Sequence, residues 1–135
     1  LHKLYQQLDL SDVYARSRWT YFSMISFILA IALLKAVMFY HVIKLVTKFD
    51  LKRPFNAFAS KQILLIGYYT LAIGLFSYVG RQSARYLQHH GYATDSMNPF
   101  WEDSQAFILM AAVIYVIAAI FKRGIEIQME NDLTV

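Results

Sequence analysis

Long apolar runs alternate with short polar segments along the whole chain. The apolar runs cover residues 19–46, 61–80 and 99–121. An α-helix rises about 1.5 Å per residue, so each run is long enough to cross a hydrocarbon layer about 30 Å thick. The pattern predicts an all-α fold: a transmembrane helical bundle with three spans in this chain, forming a single membrane domain.

Four polar segments flank these runs: a lead-in at 1–18, a turn at 47–60, a connector at 81–98 and a tail at 122–135. The turn and the residues that border it are strongly basic, because the stretch from Lys44 to Lys61 contains five of the 13 Lys and Arg residues. Basic residues are enriched on the cytoplasmic side of membrane proteins. The turn and the tail are therefore expected in the cytoplasm, and the connector outside.

This orientation leaves the lead-in, with Lys3, Arg16 and Arg18, on the outside. Lys and Arg residues close to a membrane span are disfavoured on that side, and these three would lie at the very start of the chain. We therefore expect another transmembrane helix upstream of Leu1, which gives four spans with both ends in the cytoplasm.

Local signals predict where the later helices begin. Pro54 disfavours helical backbone at the residue before it, and the side chain of Asn56 can cap a helix that starts immediately afterwards. Asn98 and Pro99 provide a similar start for the third span. Trp101 near that start is interpreted as part of an aromatic belt at the membrane surface. The tail is expected to continue the last helix for one or two turns.

Composition agrees with a membrane protein. Hydrophobic residues make up 58% of the chain and charged residues 16%, whereas soluble domains have about half and about a quarter. The net charge of +4 is concentrated beside the apolar runs. That distribution indicates membrane orientation and gives no reason to expect direct binding to nucleic acid.

The chain lacks the residue patterns that most catalytic and metal sites need. It has no cysteine, no Gly-rich phosphate loop, and no H-E-x-x-H or G-x-S-x-G motif. His89 and His90 are adjacent, so their side chains diverge, and no carboxylate stands at ligand spacing. We expect no enzyme activity, no metal site and no cofactor.

Lys35 interrupts the first run about 24 Å past Trp19, several ångströms from the far border of the hydrocarbon. Two interpretations are open. The lysine stem snorkels to that border, or the amine is buried in the bundle, where it is paired or serves a site. His41, Lys44 and Lys48 then share one helix face, interpreted as solvated or in contact with anionic lipid rather than as a ligand site.

Small residues recur along the second run at intervals of three and four: Gly67, Thr70, Gly74 and Ser77. In lipid, such a face lets another helix approach closely. The partner is either a helix of the same chain or a second copy of the protein, and the sequence leaves both open.

The turn and the tail resemble one known family. The turn reads FDLKRPFN, and the chain closes with IFKRGIEIQMENDLTV. These stretches resemble the bacterial membrane family called domain of unknown function 2975, whose members have a D-x-x-x-P-F-N-like turn and an F-x-x-G-x-x-(L/I)-Q-x-E-N-x-L-T-(I/V) ending. The matching positions are Asp50, Pro54, Phe55, Asn56, Phe121, Gly124, Ile127, Gln128, Glu130, Asn131, Leu133, Thr134 and Val135.

The resemblance implies a bacterial inner-membrane protein with four spans. It also implies a non-catalytic binding partner, because members are often encoded beside a small helix-turn-helix transcription regulator that the membrane protein would sequester. A partner would dock on the turn and the tail, at Lys52, Arg53, Pro54, Phe55, Asn56, Gln128, Glu130 and Asn131.

Two other interpretations stand beside this one. The turn and the tail would only cap the helices and anchor the bundle. Alternatively, the protein is a small transporter, a channel or an accessory subunit of a membrane complex, with Lys35 and the small-residue face at its working interface.

Overall fold

The computed structural model describes residues 18–92 and 101–133, which contain three long α-helices. Helix α1 spans Arg18–Thr47, α2 spans Ala57–His89 and α3 spans Ser104–Leu133. Each is long and apolar enough to cross a membrane. The predicted all-α fold is confirmed, and the helix expected upstream of Leu1 stays a prediction.

The outside of the bundle is apolar, as in a protein surrounded by lipid. Helix α3 shows this most clearly, since only 11% of its most apolar stretch is buried inside the protein. Its exposed side chains include Leu109, Val113, Val116 and Ile120. A soluble monomer rarely exposes so large an apolar surface, whereas hydrocarbon chains cover it without penalty.

Helix α2 is longer than the predicted span 61–80. It begins at Ala57 and continues past Gly80 to His89, so the connector expected over 81–98 is helical in its first half. Charge marks where the hydrocarbon ends, but it does not interrupt the hydrogen bonds of a helix. The chain leaves the helix at Gly91, whose φ of 86° suits a glycine after a helix end. The cap predicted at Asn98 and Pro99 lies outside the described residues.

The two glycines among the small residues of α2 pack against α3 of the same chain. A Cβ atom added to Gly67 would lie 3.1 Å from Cγ2 of Ile114, and one added to Gly74 would lie 2.7 Å from Cγ1 of Ile108. Because no side chain separates them, the two backbones approach closely. At these two glycines the partner is therefore another helix of the same chain.

Trp101 belongs to the core, so its assignment to an aromatic belt is wrong. It is only 1% exposed, and a Cβ atom added to Gly80 would lie 2.7 Å from Cε3 of its ring. A tryptophan at the end of a span can face either lipid or protein, and the sequence does not distinguish them. Here the missing side chain at Gly80 provides the space.

Helix α1 packs against the other side of α2. The hydroxyl of Thr70 donates a 2.6 Å hydrogen bond to the carbonyl of Ile66 and lies 3.2 Å from Sδ of Met38 on α1. Ser77, seven residues or about two helical turns after Thr70, is also buried. Three of the four small residues thus divide between the two neighbouring helices, with Gly67 and Gly74 against α3 and Thr70 against α1.

Candidate functional site

The basic turn between α1 and α2 is held by two of its own polar side chains. Oδ1 of Asp50 accepts a 3.0 Å hydrogen bond from the backbone N–H of Lys52. Oδ1 of Asn56 accepts a 2.8 Å bond from the N–H of Ala59, which caps α2 as predicted. Nδ2 of Asn56 also donates a 2.8 Å bond to the carbonyl of Arg53.

These bonds leave the cationic side chains of the turn in solvent. Lys52 and Arg53 are both exposed, while Pro54 and Phe55 are half-buried. Asp50 and Asn56, the first and last residues of the family-like turn, are thus structural. Lys52 and Arg53 present positive charge to solvent.

Phe55 joins the turn to the end of α3. Its ring meets the ring of Phe121 edge to face, with centroids 5.2 Å apart and planes at 65°. A Cβ atom added to Gly124 would lie only 2.6 Å from Cδ1 of Phe55. The turn and tail motifs are therefore in contact through Phe55, Phe121 and Gly124, and we call these three residues the turn–tail clasp.

The sequence contained a signal for the clasp that residue-by-residue reasoning missed. Phe121 and Gly124 are three residues apart, so they share one face of a helix. The glycine has no side chain, so it leaves space beside the first aromatic ring in which a second ring can pack. Its partner could not be read from the sequence, because Phe55 lies far away along the chain.

Beyond the clasp, α3 continues as a helix to Leu133, further than the one or two turns expected. The helical part of the tail, 122–133, therefore extends about 18 Å. Of the predicted docking residues in it, Gln128 is half-buried, and Glu130 and Asn131 are exposed.

The tail carries negative charge at the end of the helix where it is least favourable. Glu126, Glu130 and Asp132 are exposed in the last turns of α3, and the last turn has no basic residue. The C-terminal end of a helix carries partial negative charge, so carboxylates there oppose the helix dipole. Arg123 forms a 3.1 Å ion pair with Glu126, but such exposed pairs contribute only about 0–1 kcal/mol. Helix stability does not explain these acidic residues.

Large apolar side chains are exposed on the same part of α3. Met129 is 61% exposed and Leu133 is 87% exposed. They are four residues apart and so lie on one face of the helix. The tail is an amphipathic helix end with an open apolar face flanked by carboxylates.

Lys35 does not point to the border expected for snorkelling. Its Nζ atom lies 5.4 Å from the ring centroid of Phe107, in the first turn of α3 and at the opposite end of that helix from the tail. Phe107 itself packs against α2, because a Cβ atom added to Gly74 would lie 3.4 Å from the Cβ atom of Phe107. The ammonium group is therefore directed into the bundle, a cation over an aromatic face.

His41 is not part of a basic face shared with Lys44 and Lys48. Its Nδ1 donates a 2.7 Å hydrogen bond to Oε1 of Gln62, which is buried. The His41 ring also stacks on Tyr69, with centroids 5.4 Å apart and planes at 17°. The sequence reasoning missed Gln62 and Tyr69, which lie seven residues apart on the face of α2 that meets α1.

Comparison with known proteins identifies the family to which the turn and tail motifs belong. No curated protein and no solved structure matches the chain. A family model described as "Protein of unknown function (DUF2975)" matches residues 5–135. That match covers the turn, the clasp and the tail as well as all three helices, so the chain belongs to the DUF2975 family of multi-pass membrane proteins.

Proposed function

We propose that this protein is a non-catalytic membrane anchor that binds a cytoplasmic helix-turn-helix transcription regulator. The turn and the tail, facing the cytoplasm from a bacterial inner membrane, would form the docking surface. The observation that supports this best is the turn–tail clasp, because it fixes the two family motifs against each other. A surface held in this way needs little ordering when a partner binds.

The shape of the tail suits the recognition of a helix by a groove. In that mode an amphipathic helix lays its apolar residues into a hydrophobic groove of the partner. Met129 and Leu133 provide the apolar face. The clasp holds the base of this helix at Phe121 and Gly124, so the projecting part is presented in one direction.

The charge of the tail suits a DNA-binding partner. Such proteins carry clustered Lys and Arg residues that neutralise DNA phosphates. Glu126, Glu130 and Asp132 present carboxylates to solvent and would complement that basic surface. A regulator bound in this way would have its DNA-contacting face covered, and binding to the membrane protein and binding to DNA would compete.

Co-expression with a helix-turn-helix regulator, which the family resemblance leads us to expect beside the gene, tests the proposal. After mild solubilisation, the tagged membrane protein is expected to retain the regulator, and a DNA duplex carrying the regulator's own site should release it. The double variant Glu126→Lys/Glu130→Lys is expected to weaken retention about tenfold or more, since like charges across an interface repel.

The matched control is Glu102→Lys/Asp103→Lys, which makes the same change in charge at exposed positions directly before α3, far from the tail. This control should retain the regulator as the wild type does. Equal loss in both double variants, or a regulator that never co-purifies with the wild-type protein, would refute the docking surface.

A second candidate function is a small transporter, a channel or an accessory subunit. It is favoured by the ammonium of Lys35 pointing into the bundle, together with the hydrogen-bonded pair His41 and Gln62. Ionisable groups within a span are commonly functional, because they are expensive to keep there. In proteoliposomes, Lys35→Ala should abolish ion or solute flux while Lys52→Ala leaves it unchanged. Wild-type vesicles without any flux would exclude this candidate for the solutes measured.

A further inference from the structure

Two lysines at the end of α1 converge on a single aromatic ring. Nζ of Lys44 and Nζ of Lys48 each lie 5.8 Å from the ring centroid of Phe58, in the first turn of α2. Two ammonium groups held at one ring repel each other. A negative charge placed between them would relieve that repulsion.

The described part of the chain supplies no such charge. Over residues 18–92 and 101–133, neither lysine forms an ion pair with a carboxylate. The first turn of α2, which contains Phe58, has no acidic residue. The nearest carboxylate along the chain, Asp50, accepts its hydrogen bond from the backbone of Lys52. The pair of cations is therefore available to an anion from outside the chain.

The pair of lysines lies just past the far border of the hydrocarbon. Measured from Trp19 at the near border, Lys44 in the last turn of α1 lies about 37 Å along the axis, and Lys48 directly follows the helix. With a hydrocarbon core about 30 Å thick and a headgroup layer of about 5–7 Å on each side, Lys44 is at the outer edge of the headgroups, and Lys48 is within reach of them through its long side chain. The ring of Phe58 is apolar and half-buried, and lysine side chains commonly lay their apolar stems on such a surface while the ammonium group reaches water.

We propose that Lys44, Lys48 and Phe58 form a binding site for the phosphate of an anionic phospholipid. The two ammonium groups donate hydrogen bonds to the phosphate oxygens, and Phe58 holds both lysine side chains over its ring while its edge contacts the acyl chains. The site belongs to the junction of α1 and α2 and does not depend on the docking of a regulator at the tail.

The test uses the full chain in nanodiscs of phosphatidylcholine with a minor fraction of phosphatidylglycerol, and native mass spectrometry to count the phosphatidylglycerol retained on release. The double variant Lys44→Gln/Lys48→Gln is expected to reduce the retained phosphatidylglycerol about tenfold. Phe58→Leu should reduce it by a smaller factor, about threefold, because both lysines remain but lose the ring beneath them.

Lys61→Gln/Lys122→Gln is the matched control, since it removes the same charge from exposed positions on α2 and α3 at the same end of the bundle. Its retention of phosphatidylglycerol should stay within about twofold of the wild type. Lys44→Arg/Lys48→Arg, which keeps both charges, should also retain the lipid. Equal losses in the two Gln variants, or a wild-type protein that does not prefer phosphatidylglycerol to phosphatidylcholine, would overturn the site.

Discussion

At Gly124 a side chain of one hydrogen atom leaves room for the ring of Phe55. Both residues stand out in the sequence as parts of family-like motifs, and Phe55 was predicted to belong to a surface for a partner. In the structure Phe55 is half-buried and packs on Phe121 and Gly124. Residues of a family motif can therefore stabilise the packing beneath a surface without being part of that surface. Which of them do so depends on how α3 is rotated about its axis relative to the turn. No local pattern specifies that rotation.

The clasp predicts that Gly124→Ala destabilises the protein, which is the opposite of the usual effect of this substitution in a helix. Replacing glycine by alanine inside a helix normally stabilises by about 1 kcal/mol. Here the new methyl group would lie 2.6 Å from Cδ1 of Phe55, and overpacking costs about 1–3 kcal/mol. We expect the midpoint of thermal unfolding in detergent, followed by circular dichroism, to fall.

The same substitution in a Phe55→Ala background provides the control. With the ring removed, Gly124→Ala should raise the midpoint, as it does in an ordinary helix. A rise in the background that keeps Phe55 would show that the ring moves aside freely and that the clasp is not rigid.

At the scale of helices, one of the two predicted starts was right: α2 begins directly after Asn56, whereas α3 begins at Ser104 and not at Pro99. Asn56 identified the start of α2, because a cap is a hydrogen bond between neighbours along the chain. The end of α2 at His89 was missed, because the charged residues after Gly80 mark the membrane border and nothing in the segment up to His89 breaks a helix. Trp101 was assigned to lipid for a related reason, since its contact with Gly80 is tertiary.

The cap on α2 gives a graded prediction. Asn56→Ala removes the acceptor for the N–H of Ala59 and should destabilise the protein by about 1 kcal/mol. Asn56→Asp keeps an acceptor and adds a negative charge at the positive end of the helix dipole. It should therefore lose less, as measured by chemical unfolding in detergent.

Leu51→Ala serves as the control in the same turn, because Leu51 is 85% exposed and should leave the free energy of unfolding unchanged. If Asn56→Asp lost as much as Asn56→Ala, the bond from Nδ2 of Asn56 to the carbonyl of Arg53 would be the one that matters.

For the whole molecule, the contact between turn and tail limits the possible topologies. Phe55 and Phe121 touch, so we expect the turn and the start of the tail on the same side of the membrane. The charge distribution alone had already predicted this arrangement from the positive-inside rule. The physical contact and the charge pattern are independent arguments for the same statement.

Single cysteines test this topology, because the chain has none of its own. Lys52→Cys, Gln88→Cys and Glu130→Cys all lie at exposed positions. In intact cells a membrane-impermeant maleimide should label Gln88→Cys, and should label the other two only after the membrane is opened. Labelling of Lys52→Cys and Glu130→Cys from opposite sides would contradict the turn–tail contact. Labelling of both from outside would reverse the orientation and leave the contact intact.

Much of the architecture was readable from the sequence, and little of the candidate site was. Apolar length specifies helices that cross a membrane, and small residues such as Gly67 and Gly74 indicate a close helix contact. The directions of Lys35 and His41 were not readable, since each depends on which side chains of a neighbouring helix lie opposite. Those pairings are set by helix rotation, which an alternation of apolar and polar segments leaves undetermined.

The central place of α2, which packs against both α1 and α3, has a consequence for synthesis. The two main interfaces join helices that follow one another along the chain, and contacts between residues that are close in sequence favour fast folding. The hairpin of α1 and α2 can close while α3 is still being translated, because chains fold from the N-terminus as they emerge. Helix α3 can then dock on the face of α2 that carries Gly67 and Gly74, where the ring of Phe55 contacts it at Phe121 and Gly124.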